Sequence, residues 1–223
     1  MAEGGESSES GEPVGHRYRR FELIGSGAMG AVYRGEDREG RDLAVKILRS
    51  EFSSDSLILS RFMQERALMV RLAGDGIVKV VDFVAEGEML AIVMERIAGG
   101  SLRDLMARDR QSISQSMAIR LLADVAAGLA TAHAAGVIHR DIKPENVLID
   151  DAGERPVALV TDFGISGLTE GSAHTRMTSL VGTPQYMAPE LINGDVASPA
   201  VDVYAAGIML YELLAGKTPF AGG

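Results

Sequence analysis

Residues 139–146 read HRDIKPEN, and they place a carboxylate, a cation and an amide within one short stretch. Asp141 can accept the proton of an incoming hydroxyl, and Lys143 can lie against a transferring phosphoryl group. Asn146 can bind a metal ion through its amide oxygen. The stretch therefore indicates phosphoryl-transfer chemistry, and a polar loop that contains HRD by chance is the alternative.

The composition is that of an ordinary globular chain. Of the 223 residues, 46% are hydrophobic and 24% are charged, so the chain can bury a sizeable core. The net charge of -9 and the pI near 5.0 argue against non-specific binding to nucleic acid or anionic membranes, because like charges repel. Cysteine is absent, which excludes a disulfide framework and a thiolate metal site. We expect one compact unit that can divide into two lobes.

The N-terminal residues show neither a targeting signal nor a folded pattern. A basic segment followed by an apolar run is missing, and no uninterrupted apolar run reaches about 18 residues, so we expect no membrane span and a cytoplasmic location. Residues 1–16 are mostly Gly, Ser and Glu, which predicts a disordered acidic tail. The fold is predicted to begin near Arg17.

A glycine-rich motif lies in residues 21–32, which read FELIGSGAMGAV. Gly25, Gly27 and Gly30 follow the pattern G-x-G-x-x-G-x-V, and glycines there let backbone N–H groups approach phosphate oxygens closely. A dinucleotide-binding turn is the alternative, but such a turn leads into a helix. Here Val32 opens a run that predicts a strand.

Two charged residues lie on the next predicted elements. Lys46 lies in LAVKIL, residues 43–48, which favours a strand. Glu65 is the only carboxylate of RFMQERALMVRL, residues 61–72, whose apolar residues recur at helical spacing. We expect Glu65 to pair with Lys46. The alternatives are a surface lysine on an edge strand and a solvated helix glutamate.

The remaining pattern predicts a change from strands to helices. A hinge is expected near residues 95–100, and Gly136 is expected to end the long helix. Asp202 is expected to hydrogen-bond the backbone of residues 139–146, with a simple helix-dipole aspartate as the alternative. The predicted strands cover residues 19–24, 31–36, 77–84, 89–94 and 157–160, and the predicted helices cover residues 101–108, 114–135 and 200–214.

Residues 161–164 read TDFG, and they lead into a long polar segment. Asp162 can act with Asn146 as an oxygen ligand for a hard cation such as Mg²⁺. The polar segment carries hydroxyls at Thr175, Thr178 and Ser179, as a switchable loop would. These three are candidates for phosphorylation, although plain loop polarity also explains them.

Taken together, these motifs resemble those of the eukaryotic-type (Hanks-type) serine/threonine protein kinases. The resemblance extends from about residue 18 to residue 220 and is closest to bacterial members, to judge by GTPQYMAPE at residues 182–190. It implies an α+β, bilobal fold. The N-lobe, about residues 17–95, would be an antiparallel sheet plus one helix, and the C-lobe, about residues 100–223, would be mainly helical and lack its last helices.

The resemblance also implies roles for individual residues. Asp141, Lys143, Lys46 and Glu65 would be catalytic, and Asn146 would share the bound Mg²⁺, or Mn²⁺, with Asp162. ATP would be the phosphoryl donor, Met94 would close the back of its pocket, and the backbones of Glu95 and Ile97 would contact adenine. The nucleotide-binding set is Ile24, Gly25, Gly27, Gly30, Val32, Ala44, Lys46, Met94, Glu95, Ile97 and Leu148, and Thr183 would lie near Asp141.

The implied function is phosphoryl transfer from ATP to Ser or Thr hydroxyls of a protein substrate, with autophosphorylation of the polar segment. The alternative is a nucleotide-binding pseudokinase or scaffold. In the family, Glu190 pairs with an arginine of later helices, whereas this sequence stops at Gly223. We therefore expect a fragment of a longer kinase or a lobe that another chain completes, which alone is marginally stable, self-associating and weakly active. The alternative is that Glu190 turns to solvent or to a local arginine such as Arg176, which would reduce the cost.

Overall fold

The computed structural model describes residues 11–72, 74–108, 112–163 and 184–220, apart from the side chains at positions 65, 67, 68 and 71. The chain forms two compact units. One consists of Met1–Ser54 with Val81–Arg96, and the other of Asp55–Val80 with Ile97–Gly223.

The first unit is built on a six-stranded sheet in which the strands lie in the order β1-β2-β3-β4-β6-β5. Apolar side chains of β1, β2, β4, β5 and β6 meet in one buried cluster that includes Leu43, Val45 and Val93. The elements are β1 (Glu12–Val14), β2 (Tyr18–Gly27), β3 (Gly30–Asp37), β4 (Asp42–Leu48), α1 (Ser50–Ser53), β5 (Val80–Glu86) and β6 (Met89–Glu95).

The fold begins before Arg17, so the predicted tail boundary is wrong. Strand β1 pairs antiparallel with β2, and Glu12 lies opposite Arg20. Val14 is fully buried, and Gly15 turns the chain with a φ of 60° that glycine adopts easily. The pairing with β2, the burial of Val14 and the ion pair of Arg20 with Glu12 hold this polar stretch on the sheet. The first ten residues lie outside the described part.

One predicted strand is shorter and later than expected. Strand β5 starts at Val80, whereas the apolar run had predicted a strand from Ile77. Ile77 and Val78 instead contact Val160, and the Val78 N–H donates to the Val160 carbonyl at 2.9 Å. The first residues of the apolar run therefore pair with Val160, and the later ones form β5.

The second unit is mainly helical. Buried residues such as Leu121, Val125 and Leu129 lie along one face of its longest helix, α4, which packs against α6 and β8. The elements are α2 (Ser56–Arg71), α3 (Leu102–Arg108), α4 (Gln115–Ala134), β7 (Val147–Asp150), β8 (Val157–Val160), α5 (Pro189–Ile192) and α6 (Ala200–Ala215). Strands β7 and β8 form an antiparallel pair.

Both ends of α4 follow from local sequence. The Ser114 hydroxyl caps the first turn by accepting the Met117 N–H at 3.2 Å. Gly136, with a φ of 79°, takes the left-handed conformation just after the helix, as predicted. The chain then turns directly into residues 139–146.

Helix α4 is also the one helix of the described part that is long and apolar enough to cross a membrane, with a mean hydropathy of 1.2. The buried helix of a folded domain meets the same criterion. Since α4 packs against α6 and β8, the criterion is weak evidence for a span.

Candidate active site

The backbone of HRDIKPEN is anchored on helix α6. The Asp202 carboxylate accepts the N–H groups of His139 and Arg140, both at 2.8 Å, and the Nε2 atom of His133 lies at the same distance. Asp202 is completely buried, so these partners offset the cost of removing its charge from water. The prediction that Asp202 hydrogen-bonds this backbone is confirmed.

His139 is a structural link within the same stretch. It is fully buried, and its Nε2 atom lies 2.8 Å from the Thr161 carbonyl, which can only accept. Its Nδ1 atom accepts the Asp141 N–H at 3.2 Å, and Nε2 is the ring nitrogen that donates. The ring also meets Phe163 edge-on, with the centroids 4.7 Å apart. His139 thereby joins residues 161–163 to the backbone of Asp141.

The Asp141 carboxylate is held on one side and open on the other. Its Oδ2 atom accepts Lys143 Nζ at 2.7 Å and Asn146 Nδ2 at 3.0 Å. Both hydrogen bonds that the described side chains donate to this carboxylate reach Oδ2, and the side chain is 44% exposed. Oδ1 is therefore the oxygen that can receive the proton of an incoming hydroxyl.

Asn146 has its amide oriented by the same contacts. Its Nδ2 atom donates to the Asp141 carbonyl at 2.7 Å as well as to the carboxylate, although Asn146 is only 7% exposed. The amide oxygen is then the atom of this side chain that could bind a cation. Within the described ranges there is no group of three or more His, Asp or Glu that could hold a metal ion. A site for Mg²⁺ does not need one, because this ion is held by one or two protein oxygens, phosphates and waters.

Two residues of this region have an unusual backbone. Arg140 and Asp162 have φ values of 67° and 66°, and in the described ranges they are the two residues other than glycine with positive φ. Such conformations cost about 1–3 kcal/mol and cluster at functional sites. Arg140 lies in the HRD motif and Asp162 in the DFG motif. The unusual backbone therefore marks both motifs as candidate functional sites, independently of their side chains.

In the first unit, the strand register brings several predicted nucleotide-binding residues to one face of the sheet. Lys46 lies opposite Val32 on β3, and Ala44 lies opposite Met94 on β6. Directly opposed residues share a face, and so do residues two apart on a strand, so all four side chains belong to the same face. Lys46 is 8% exposed on an interior strand, which excludes the alternative of a surface lysine on an edge strand.

The three motif glycines lie at the hairpin of β2 and β3 and play different parts. A Cβ atom on Gly25 or Gly27 would meet open space or ordinary contact distances. A Cβ atom on Gly30 would lie 2.0 Å from the Ile47 carbonyl oxygen, so only glycine fits between β3 and β4. Gly25 and Gly27 thus leave room for a ligand, whereas Gly30 is required by strand pairing.

The remaining residues predicted to bind nucleotide lie on β2, β6 and β7 and just before α3. Ile24 on β2 is 46% exposed, and Glu95 ends β6. Leu148 lies on β7 and forms an isolated bridge with Ser101, and Ile97 precedes α3. Glu65 lies on α2, but its side chain is outside the described part. Also outside it are Thr175, Thr178, Ser179 and Thr183.

One polar cluster was missed from the sequence. Arg103 of α3 donates to Glu145 at 2.8 Å, to Glu212 at 2.7 Å and to the Tyr186 hydroxyl at 2.6 Å. Tyr186 in turn donates to Glu212. These residues come from four separate segments. Glu145 and Tyr186 lie within HRDIKPEN and GTPQYMAPE, but neither motif relates them to Arg103 or Glu212. The sequence therefore carried no signal for the cluster.

Electrostatics shows how tightly this cluster is coupled. Burial alone would lower the pKa of Arg103, but its hydrogen bonds to Glu212 and Glu145 raise that pKa above the usual value. Burial and the hydrogen bond to Glu212 raise the pKa of Tyr186 above its usual range. Arg103 and Tyr186 therefore stay protonated at any physiological pH.

The sequence of this chain matches a known protein family. The family model of the protein kinase domain matches residues 18–223. The chain is 45% identical to serine/threonine-protein kinase PkaB of Streptomyces coelicolor over 216 residues, which is 94% of this chain and 51% of PkaB. It is 40% identical to serine/threonine-protein kinase PknA of Mycobacterium tuberculosis over 222 residues, which is 97% of this chain and 51% of PknA.

The chain spans about half the length of the curated relatives it matches. A third relative, serine/threonine-protein kinase PkaA of Streptomyces coelicolor, is 43% identical over 95% of this chain and 41% of PkaA. The family match covers nearly all the elements described above, including both units and the HRDIKPEN stretch. The chain therefore belongs to the protein kinase family, within its bacterial Hanks-type serine/threonine branch.

Proposed function

We propose that this chain is the catalytic domain of a protein kinase that transfers the γ-phosphoryl group of ATP to serine or threonine hydroxyls of a protein. The observation that carries the proposal is the Asp141 carboxylate, which is held through Oδ2 by Lys143 and Asn146 and is 44% exposed. A carboxylate in this state can orient a hydroxyl and accept its proton without turning away.

The reaction is a displacement at phosphorus. The hydroxyl oxygen of the substrate bonds to the γ-phosphorus while the bond from that phosphorus to the bridging oxygen of ADP breaks, and ADP leaves with the electron pair. The hydroxyl proton passes to Asp141. The Lys143 ammonium, 2.7 Å from Asp141, adds positive charge close to the transferred group.

The other charged residues serve the phosphates. Lys46 is a buried lysine on an interior strand, and its ammonium would neutralise the α- and β-phosphates. Asn146 and Asp162 would hold Mg²⁺ or Mn²⁺, which supplies charge neutralisation at the phosphates when bound. Asn146 is suited to this role because its amide nitrogen is already bonded to Asp141.

The test is transfer of labelled γ-phosphoryl from ATP to casein. Asp141→Asn should keep nucleotide binding and lower kcat by about 10² or more, since general-base catalysis is worth that much. Asp162→Ala should lose Mg²⁺-dependent ATP binding, measured by calorimetry. Asp151→Asn, an exposed carboxylate after β7, is the matched control and should turn over like the wild type.

Full turnover by Asp141→Asn would refute the proposed role. A wild-type chain that binds ATP and transfers nothing would instead support the alternative, a nucleotide-binding pseudokinase or scaffold.

The proposed kinase is expected to activate itself by phosphorylation of Thr175, Thr178 or Ser179. A phosphate on that segment gains charge-assisted hydrogen bonds from arginine, and Arg140 directly precedes Asp141. Activity should rise as mass spectrometry shows phosphate between residues 164 and 182. A fully active preparation without phosphate there would contradict this expectation.

A further inference from the structure

The cluster around Arg103 lies next to the catalytic residues but is not used by the chemistry proposed above. Glu145 stands between Lys143 and Asn146 in the turn Pro144–Asn146. Arg103 contacts Glu145 through Nε and Glu212 through Nη1. One guanidinium therefore ties the end of the HRDIKPEN stretch to helix α6.

The same helix holds the beginning of that stretch through Asp202. Asp202 and Glu212 are ten residues apart on α6, which corresponds to about 15 Å along a helix. Asp202 binds the N–H groups of His139 and Arg140, and Glu212 reaches Glu145 through Arg103. Helix α6 thus anchors HRDIKPEN at two points, one on each side of Asp141.

The second anchor is built to be rigid. Each nitrogen of the Arg103 guanidinium has its own acceptor, on Glu145, Glu212 and Tyr186. Glu212 is 8% exposed and Tyr186 is 3% exposed, so both acceptors are fixed by packing. A planar group with several bonds in fixed directions loses less entropy per bond than a flexible ammonium would.

We infer that Arg103 is a positioning residue for phosphoryl transfer, because it fixes the turn that carries Lys143 and Asn146 against α6. The Lys143 and Asn146 side chains both donate to Oδ2 of Asp141 and thereby fix the orientation of its carboxylate. A small misplacement of a catalytic group can cost about 10²-fold in rate. The inference rests on the proposed function for its kinetic consequence, but the anchoring itself is independent of activity.

The kinetic test is a double-mutant cycle of Arg103→Ala and Glu145→Ala. Glu145 is 42% exposed, so Glu145→Ala keeps the fold even if Arg103→Ala, which leaves Glu212 without its cation, proves unstable. Each single variant should lower kcat by about tenfold or more, with the KM for ATP unchanged. The double variant should be no slower than the slower single variant, because both remove the same contact. Arg103→Lys should recover part of the loss.

The matched control is Arg155→Ala, which removes the two hydrogen bonds of Arg155 to Asp124 on α4, away from HRDIKPEN. It should keep the wild-type kcat. Wild-type kcat in Glu145→Ala, or additive losses in the cycle, would overturn the inference. So would an equal loss of kcat in Arg155→Ala.

A readout without activity separates this inference from the proposed function. Hydrogen exchange of the backbone amides of residues 143 and 145–147 should be faster in Arg103→Ala and Glu145→Ala than in the wild type, and unchanged in Arg155→Ala. Unchanged exchange in both cluster variants would overturn the inference even in an active enzyme. Suppose that exchange is faster in the two cluster variants but the wild-type chain transfers no phosphate. That result would support the anchoring by Arg103 and contradict the proposed function.

Discussion

Two carboxylates of the second unit, the buried Asp202 and the partly buried Asp124, each receive several donors. Asp202 accepts two backbone N–H groups and contacts His133. Asp124, whose side chain is 15% exposed, accepts Arg155 at 2.8 Å and 2.9 Å and the Ala158 N–H at 3.2 Å. A buried charge costs free energy unless it is paired and hydrogen-bonded, so each carboxylate should affect stability through its partners.

Asp124 leads to a prediction about acid stability. Hydrogen bonds from Arg155 hold the pKa of Asp124 below its usual value of 3.8. A carboxyl group with a lowered folded-state pKa contributes stability that is present above the unfolded pKa and is lost as the pH falls through the folded pKa. The difference in unfolding free energy between the wild type and Asp124→Asn should be constant near neutral pH and shrink below about pH 4.

Urea unfolding at a series of pH values measures this difference. Arg155→Ala is the control, because it removes the main cause of the lowered pKa of Asp124. In a chain that carries Arg155→Ala, the unfolding free energy should therefore change less as the pH falls below about 4. A difference that stays constant down to pH 3 would contradict the prediction.

Among individual residues, the sequence predicted the grouping of those that belong to compact motifs. The structure brings Asp141, Lys143 and Asn146 together, as their spacing within one loop predicted. It also shows the predicted hydrogen bonds from Asp202 to the loop backbone. Arg103 and Glu212 are 109 residues apart, and no local pattern relates them. Such contacts depend on how the helices pack, which a linear pattern does not contain.

Among the secondary-structure elements, those with clear periodicity were predicted well. Helix α4 and strand β8 lie where the apolar spacing put them. Strand β7 was not predicted, because Val147–Asp150 is too short for its apolar alternation to be distinctive. Strand β1 was missed because its neighbours are Gly, Ser and Glu. Short elements are decided by pairing with distant strands rather than by their own sequence.

A close approach between two elements gives a prediction for α4. Gly128 packs against Gly76, and a Cβ atom on Gly128 would lie 2.3 Å from the Gly76 carbonyl oxygen. Gly128→Ala should lower the unfolding free energy by about 1–3 kcal/mol, because overpacking outweighs the better helix propensity of alanine. Urea unfolding at low protein concentration measures the change.

The matched control is Gly207→Ala, also in the middle of a helix. A Cβ atom there meets nothing within 4 Å, so the change should raise stability by up to about 1 kcal/mol. If Gly128→Ala were as stabilising as Gly207→Ala, the close packing of α4 on Gly76 would be refuted.

For the molecule as a whole, the sequence predicted low stability because Glu190 was expected to be a buried carboxylate. Glu190 lies on α5 and is only partly buried, so the cost expected for a fully buried carboxylate does not apply in full. Arg176, the local partner considered for it, lies outside the described residues.

Helix α6 has an exposed apolar face opposite its buried one. Val203 is 63% exposed, Tyr211 44% and Leu214 46%, and their spacing puts them on one side of the helix together with Gly207. Large apolar side chains grouped on one exposed face favour association with another apolar surface. We therefore predict that the chain on its own self-associates through this face of α6 as its concentration rises.

Sedimentation velocity over a concentration series measures this self-association. The double variant Val203→Glu with Leu214→Glu should stay monomeric, because each carboxylate would have to be desolvated in the contact. Ile119→Glu is the matched control, since Ile119 is 53% exposed on α4 and does not belong to the α6 face. The control should associate like the wild type. A wild-type chain that remains monomeric, or a control that dissociates as the double variant does, would show that this face is not what joins the molecules.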